Sequence, residues 1–243
     1  MLILQIGERP LRRDQDSREL EGKGFRRETT DTLEEAISFI ELYEFDIIIA
    51  DLDNSGMSGS DMIREIRAVS NIPVIGITTS IDPRLKIAAL DMGADDVLTQ
   101  LCGVDEILAR VRAVVRRRCG YVDSSLRCGR LKISLALREA KVDGVPLRLG
   151  PKEFMLLELL MLKRGTAVSK TACMTHLYGT DEFPEAKTID VVLCRLRKRL
   201  APQGLADMIE SVWGYGFKLK EIEAGDTSPR MAAPVRRRVL APA

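Results

Sequence analysis

Residues 1–118 alternate between short apolar segments and segments with helical periodicity, and this alternation limits the possible folds more than any other feature of the chain. Five apolar segments are predicted as strands: Met1–Ile6, Phe25–Glu28, Asp46–Ala50, Pro73–Thr78 and Asp96–Thr99. Apolar residues at helical spacing predict helices over 33–40, 62–66, 85–92 and 107–115. Strands that alternate with helices form a parallel sheet with helices on both faces. We therefore expect an α/β domain with five parallel strands.

Polar residues lie at the ends of three of these predicted strands. Glu8 lies just past the first strand, Asp51 directly follows the third, and Thr78 ends the fourth. The carboxyl ends of parallel strands lie at one edge of a sheet, where open α/β sheets bind their ligands. A single aspartate at a strand end is usually a loop cap. Polar residues at three strand ends instead indicate a functional site at this edge.

The segments DIIIADLDNSGMSG, PVIGITTS and GADDVLTQ resemble the receiver domain of bacterial two-component response regulators, which has a (βα)5 flavodoxin-like fold. The resemblance covers residues 1–118. It implies that Asp51 accepts a phosphoryl group, that the backbone carbonyl of Asp53 helps to hold Mg²⁺, and that the Thr78 hydroxyl moves toward the phosphate. Carboxylates cluster closely only around a divalent cation, which offsets their repulsion. The implied metal ligands are Glu8, Asp51 and Asp53.

The sequence departs from the family pattern around this implied site. Gly7 replaces one member of the usual acidic pair and leaves only Glu8. Gln100 replaces the usual lysine, and Val97 replaces the usual aromatic switch residue. Without the lysine, a phosphoryl group loses a charge-assisted hydrogen bond of about 1.5–3 kcal/mol. Our hypothesis is an atypical receiver that requires no cofactor and whose Asp51 is phosphorylated weakly or not at all. In the alternative, Asp51 is a working acceptor and Glu8 is the only acidic Mg²⁺ ligand.

Acidic and basic residues are mixed along the last elements of this predicted domain. Similar receivers form dimers through the fourth helix, the fifth strand and the fifth helix, with ion pairs between the two copies. Exposed ion pairs contribute little individually, so an apolar rim would have to contribute to the contact. The resemblance implies a homodimer through eight charged residues: Lys86, Asp91, Asp95, Asp96, Glu106, Arg110, Arg112 and Arg116.

A second domain is predicted over residues 126–223, after a short linker over 119–125. Small strands over 126–142 turn at Asp143-Gly144, which is a hairpin signal. Three helices follow. The first opens at Gly150-Pro151 and runs to a stop at Gly165, the second is short and capped by Ser169, and the third is EAKTIDVVLCRLRKRL. A last hairpin pairs Met208–Ser211 with Phe217–Lys220. This order of elements is typical of a winged helix-turn-helix.

The third of these helices has an apolar stripe and a basic face. Between residues 187 and 199 it carries five basic residues and one acidic residue, Asp190. A basic helix face is often merely solvated. Here the helix follows a short helix through a turn and precedes a glycine-containing hairpin, and this context favours DNA binding in the major groove.

The segments LRLGPKEFMLLELLMLKRG, KTIDVVLCRLRKRL and IESVWGYGFKLK resemble the DNA-binding domain of the OmpR/PhoB family, in particular its CtrA-like members, with which they share Cys194 and Trp213. The resemblance implies that bases are contacted by Val191 and Arg195, and the DNA backbone or minor groove by Lys187, Thr188, Arg197, Lys198, Ser211 and Trp213. In the alternative, Trp213 packs inside the wing, which is the last hairpin of this domain.

Charge is divided unevenly along the chain, although its totals are 37 basic and 36 acidic residues. Residues 1–118 hold 16 basic and 22 acidic side chains, whereas residues 119–225 hold 17 and 13. An acidic half joined to a basic half indicates two roles, one of them on nucleic acid. The tail over 224–243 is predicted to be disordered, and its basic run either adds DNA affinity or has no role.

The sequence therefore predicts a cytoplasmic transcription regulator that binds double-stranded DNA as a dimer. No apolar run approaches the roughly 18–20 residues of a membrane span, and five cysteines without metal-type spacing indicate reduced thiols. The lone His176 has no partners for catalysis. RNA polymerase is a candidate partner for Glu182–Pro184, and a histidine kinase or phosphotransferase is left open. The alternatives are a conventional phosphorylation-switched regulator and a signalling adaptor whose winged domain binds protein.

Overall fold

The computed structural model describes residues 1–7, 11, 16–53, 57–180 and 187–220. Three of the predictions above concern places outside the described residues: Glu8, the segment 182–184 and the tail over 224–243. These three stay predictions. Within the described ranges, no helix is both long and apolar enough to cross a membrane.

The first domain has five strands that alternate with five helices, which confirms the predicted α/β fold. The strands are β1 (Leu2–Ile6), β2 (Arg26–Thr30), β3 (Ile47–Asp51), β4 (Val74–Thr78) and β5 (Asp96–Thr99). The helices are α1 (Asp16–Gly22), α2 (Leu33–Leu42), α3 (Gly59–Val69), α4 (Pro83–Asp91) and α5 (Val104–Arg118). The sheet is parallel throughout, in the flavodoxin-like order β2-β1-β3-β4-β5. β1, β3 and β4 are fully buried because helices cover both faces.

Two predicted boundaries in this domain are corrected by the structure. Asp51 is the last residue of β3 and does not follow it, because the register of β3 with β4 pairs Asp51 with Ile77. α4 begins at Pro83, two residues before the apolar positions that predicted it. Its N-cap is Asp82, whose side chain accepts a hydrogen bond from the Arg84 amide. A capping aspartate followed by proline is a strong helix start.

The second domain is a winged helix-turn-helix preceded by a four-stranded antiparallel sheet. The strands of that sheet are β6 (Ser125–Cys128), β7 (Leu131–Ser134), β8 (Glu139–Val142) and β9 (Val145–Leu147). Three helices and a three-stranded sheet follow: α6 (Pro151–Leu162), β10 (Ala167–Ser169), α7 (Lys170–Tyr178), α8 (Lys187–Leu200), β11 (Ile209–Val212) and β12 (Gly216–Leu219). The helix predicted to run to Gly165 ends three residues earlier, at Leu162.

Two strands of this domain were not predicted, whereas the Asp143-Gly144 hairpin turn is confirmed. Both turn residues have positive φ, 50° and 83°, as a type I′ turn requires. The strands that were missed, β9 and β10, have three residues each, which is too few for alternation to be visible in the sequence. β10 pairs with β12, where a Cβ at Gly216 would lie 2.0 Å from the Val168 carbonyl oxygen, so only glycine permits this close approach.

Helix α6 is buried on all sides because it packs against both domains. Ten consecutive residues, Glu153 to Leu162, are buried. The eight apolar residues among them belong to one cluster that also contains Met1, Leu20 and Phe25 of the first domain. A helix with apolar residues on all of its sides is stable in water only when those residues are enclosed in this way. The two domains therefore share one hydrophobic core.

Polar contacts between the domains surround the amino end of β3. Asp46 Oδ2 accepts a hydrogen bond from the Leu2 amide at 2.7 Å and lies 3.4 Å from Nδ1 of His176 on α7. Both side chains are buried. Burial alone raises the pKa of the Asp46 carboxyl, but contact with His176 and the Leu2 amide outweighs it and holds the pKa below its ordinary value. His176 thus has a structural role in domain contact.

We expect the two domains to unfold together, and Asp46→Asn to lower the free energy of unfolding by about 1–3 kcal/mol, because it weakens a buried hydrogen-bonded contact with His176. The measurement is urea denaturation followed by circular dichroism. The control is Glu41→Gln on the exposed face of α2, with an expected change within about 0.5 kcal/mol. Two separate unfolding transitions in the unmodified protein would contradict the shared core.

Candidate DNA-binding surface and receiver site

Asp51 is enclosed at the carboxyl end of the first sheet. Its side chain ends β3 and is 3% exposed. The backbone of Gly7 lies directly against it: a Cβ placed at Gly7 would be 2.7 Å from Asp51 Cβ, and Gly7 has φ +90°. A side chain at position 7 would therefore displace Asp51. Glycine at this position therefore permits the close contact between the backbone and the implied acceptor.

The Asp53 side chain bridges the ends of β3 and β4. Its Oδ1 accepts a hydrogen bond from Thr78 Oγ1 at 2.5 Å, and its Oδ2 accepts from the amide and the hydroxyl of Thr79, both at 2.6 Å. The Asp53 amide in turn donates to Asp51 Oδ1 at 3.0 Å. The sequence had assigned the function of this residue to its carbonyl, whereas the structure shows its carboxylate in contact with Thr78.

Other residues of the implied site lie near it without completing a metal centre. Val97 lies half-buried in β5, and the amide of the exposed Gln100 donates to the Thr78 carbonyl at 2.9 Å. Among the described residues, no three metal-binding side chains form a cluster. Gly7 offers no ligand, and both Asp53 oxygens already accept hydrogen bonds. Glu8, the acidic ligand that the resemblance implied, lies outside the described residues, so the set of Mg²⁺ ligands stays a prediction.

Three of the eight charged residues assigned to a dimer surface have partners toward other parts of the first domain, and whether any of the eight contacts a second copy stays a prediction. Asp95 Oδ2 pairs with Arg67 of α3 at 2.8 Å. The Arg112 guanidinium lies 5.7 Å from the centre of the Phe25 ring, toward α1, and Arg116 is one turn further along that side of α5 with its Nε buried. Residues four apart lie on the same side of a helix, so Arg112 and Arg116 lie on one side of α5, and Glu106 and Arg110 lie on another. The residues that remain on the α4–β5–α5 face are Lys86, Asp91, Asp96, Glu106 and Arg110.

Helix α8 presents an apolar side to the core and a basic side to solvent. Ile189, Val192, Leu193, Leu196 and Leu200 are buried. On the opposite face, four residues predicted to contact DNA are exposed: Lys187, Val191, Arg195 and Lys198. Thr188 beside them is half-buried. Asp190, the only acidic residue of the helix, pairs with Lys170 of α7 at 2.9 Å. This ion pair offsets the one negative charge that would repel a phosphate.

Arg197 and Ser211 connect α8 to the wing. Arg197 Nη2 donates to the Ile209 carbonyl at 2.6 Å and to Ser211 Oγ at 3.1 Å. Both residues line a groove of about 360 Å³ between α8 and β11, together with Cys194 and Lys198. Arg197 therefore fixes the wing against the helix, a role that the sequence did not distinguish from phosphate binding.

Trp213 extends from the wing into solvent and is 99% exposed. The alternative in which it packs inside the wing is wrong, because Gly214, with φ +70°, turns the chain at the tip between β11 and β12. Tyr215 beside it is half-exposed. Aromatic side chains exposed next to a basic helix are typical of a binding surface rather than of a core.

Two family models match the chain, one for each domain. "Response regulator receiver domain" matches residues 3–112, and "Transcriptional regulatory protein, C terminal" matches residues 144–219. The cell cycle transcriptional regulator CtrA of Caulobacter vibrioides is 38% identical over 204 residues, which cover 83% of this chain and 88% of that protein. The cell cycle response regulator CtrA of Brucella anthropi is 39% identical over 207 residues, which cover 84% and 89%.

A five-stranded receiver joined to a winged helix-turn-helix with an exposed basic helix defines a DNA-binding response regulator, which is a transcriptional regulator. The similarity to CtrA extends over both domains. The chain therefore belongs to the OmpR/PhoB family of response regulators and is CtrA-like, which confirms the resemblance found in the sequence. The first domain is called the receiver below, and the second the winged domain.

We expect Gly7→Ala to lower the free energy of unfolding by about 2–4 kcal/mol, because it adds a steric conflict with Asp51 to the strain of positive φ. Gly120→Ala is the matched control: Gly120 has φ +77° but nothing within 4 Å of the added Cβ. This control carries backbone strain alone and costs about 1–2 kcal/mol. Urea denaturation measures both. Equal losses in the two variants would show that the Gly7 backbone does not enclose Asp51.

Proposed function

We propose that the protein is a cytoplasmic transcription regulator that binds DNA as a homodimer and depends weakly or not at all on phosphorylation of Asp51. One observation carries the proposal: the outer face of α8 is exposed while the receiver and the winged domain share a core. Arg195 and Lys198 can reach DNA without separation of the domains. The dimer would occupy two half-sites about one helical turn apart, on the order of 10–11 base pairs.

Weak dependence on phosphorylation is supported by the enclosure of the receiver site. Asp51 lies beneath the Gly7 backbone, and the Thr78 hydroxyl already donates to Asp53. The cavity beside Asp53 and Thr78 is small, with a volume of about 30 Å³. A phosphoryl group on Asp51 would need both space and donors that are already in use. We propose accordingly that no cofactor is required.

Dimerisation is supported by an apolar rim beside the charges of the α4–β5–α5 face. Leu85, Ile87 and Leu90 of α4 are exposed, and Leu101 after β5 is 93% exposed. Arg110 pairs with Asp96 and Glu106 of its own chain at 3.0 Å, and the same charges can be exchanged between two copies. Since exposed ion pairs contribute little, the apolar residues would supply most of the affinity and the charges would set the register.

The predicted DNA contacts differ in what they read. Arg195→Ala is expected to cost about 1–3 kcal/mol on a specific site and to relax sequence preference, because arginine forms paired hydrogen bonds with guanine. Lys198→Ala is expected to weaken binding to all sequences alike and to flatten the salt dependence, because a phosphate contact releases counterions. Fluorescence anisotropy with specific and random duplexes at several salt concentrations measures both. Equal losses on both duplexes from both variants would contradict these roles.

Acetyl phosphate with Mg²⁺ is expected to change the DNA affinity less than about twofold, which is within 0.5 kcal/mol, because Asp51 is enclosed. Asp51→Asn is expected to bind DNA as the unmodified protein does. Intact-protein mass and DNA anisotropy before and after treatment are the measurements. A phosphoryl adduct that Asp51→Asn abolishes, together with a tenfold rise in affinity, would show instead a conventional receiver that a histidine kinase or phosphotransferase can switch.

A further inference from the structure

The donors at the carboxyl end of β4 form a small oxyanion site. Thr78 contributes its hydroxyl, and Thr79 contributes its amide and its hydroxyl. All three converge on one carboxylate at 2.5–2.6 Å, and that carboxylate belongs to Asp53 of the same chain. Hydrogen bonds to an ionised acceptor are about twice as strong as those between neutral groups. The site is therefore filled by an anion that the protein itself supplies.

A chain of hydrogen bonds runs from this site to the first turn of α4. The Thr78 hydroxyl accepts from the Ser80 amide at 3.0 Å, and Ser80 Oγ accepts from the Asp82 amide at 3.1 Å. Asp82 then caps α4 by accepting from the Arg84 amide at 2.9 Å. Every second residue from Thr78 to Asp82 thus accepts a hydrogen bond from the amide two positions further along the chain. The position of the first turn of α4 depends on the group that Thr78 binds.

We propose that Asp53 is a built-in oxyanion that occupies the Thr78–Thr79 site permanently and thereby holds the β4–α4 connection in one conformation. A tetrahedral oxyanion, either free phosphate or a phosphoryl group on Asp51, would need the same three donors. Asp53 excludes it both by using those donors and by its negative charge. The inference rests on the proposed function for its consequence, since α4 carries the exposed residues Leu85, Ile87 and Leu90 of the dimer face.

The direct test is amide hydrogen exchange in the full chain, measured residue by residue. In Asp53→Ala, the amides of Thr79 and Ser80 are expected to exchange at least about tenfold faster, while Ile75 and Ile77 inside β4 are unchanged. The matched control is Asp61→Ala: Asp61 is an acidic residue on α3 that pairs with Arg64. It should leave all four amides unchanged. Unchanged exchange at Thr79 and Ser80 in Asp53→Ala would overturn the proposal.

A second arm uses inorganic phosphate as the probe. Phosphate is expected to slow the exchange of Thr79 in Asp53→Ala, because the vacated donors can bind it, and to have no effect on the unmodified protein. Slower exchange in both proteins, or in neither, would contradict a site that Asp53 fills. If Asp53→Ala does not fold, Asp53→Asn keeps the shape of the side chain while removing its charge, and faster Thr79 exchange is again expected.

The proposed function and the proposed role of Asp53 are tested by different measurements, so one can be contradicted without the other. A rise in DNA affinity with acetyl phosphate would contradict phosphorylation independence, whereas the exchange rates of Thr79 and Ser80 alone decide the oxyanion site. A supporting consequence is that Asp53→Ala weakens self-association in sedimentation equilibrium while Asp61→Ala does not. Equal self-association in the two variants, with both folded, would overturn the link from Asp53 to α4.

Discussion

The packing of α6 between the two domains is the constraint on which the rest of the structure depends. Ten consecutive buried residues leave this helix without a solvent face, so it requires both the winged domain and the receiver as neighbours. Within the winged domain it contacts α7 and α8, and toward the receiver it lies in the same cluster as Phe25 and Leu20. The linker follows this packing, because the Tyr121 hydroxyl donates to the Met161 carbonyl at 3.0 Å.

This packing places the functional surfaces on different sides of the molecule. The winged domain contacts the receiver at the amino end of β3, through Asp46, whereas Asp51 and Asp53 lie at the carboxyl end of the same strand. The outer face of α8 remains exposed. The hydrogen bonds of Thr78, Ser80 and Asp82 lead from the receiver site toward α4, which belongs to the dimer face that we propose.

Much of the fold could be predicted because its signals are local. The alternation of strands and helices, the Asp143-Gly144 turn and the apolar stripe of α8 each depend on residues within one element. The site could be predicted only in part. The sequence placed Asp53 in the implied site, which stays a prediction, but did not indicate the contacts of its carboxylate, because its partners Thr78 and Thr79 are 25 and 26 residues away. The sequence around His176 did not indicate its contact with Asp46, since Asp46 belongs to the other domain.

The sequence by itself determined most of the segments that form elements and which side of α8 is basic, because hydrophobic periodicity and helix geometry act over a few residues. The tertiary structure decided how individual side chains of similar chemistry are used. Arg197 holds the wing while Lys198 faces solvent, and Arg112 covers Phe25 while Arg110 stays on the α4–β5–α5 face. A charged side chain takes its role from the partners that packing brings within hydrogen-bonding distance, and those partners are distant in the chain.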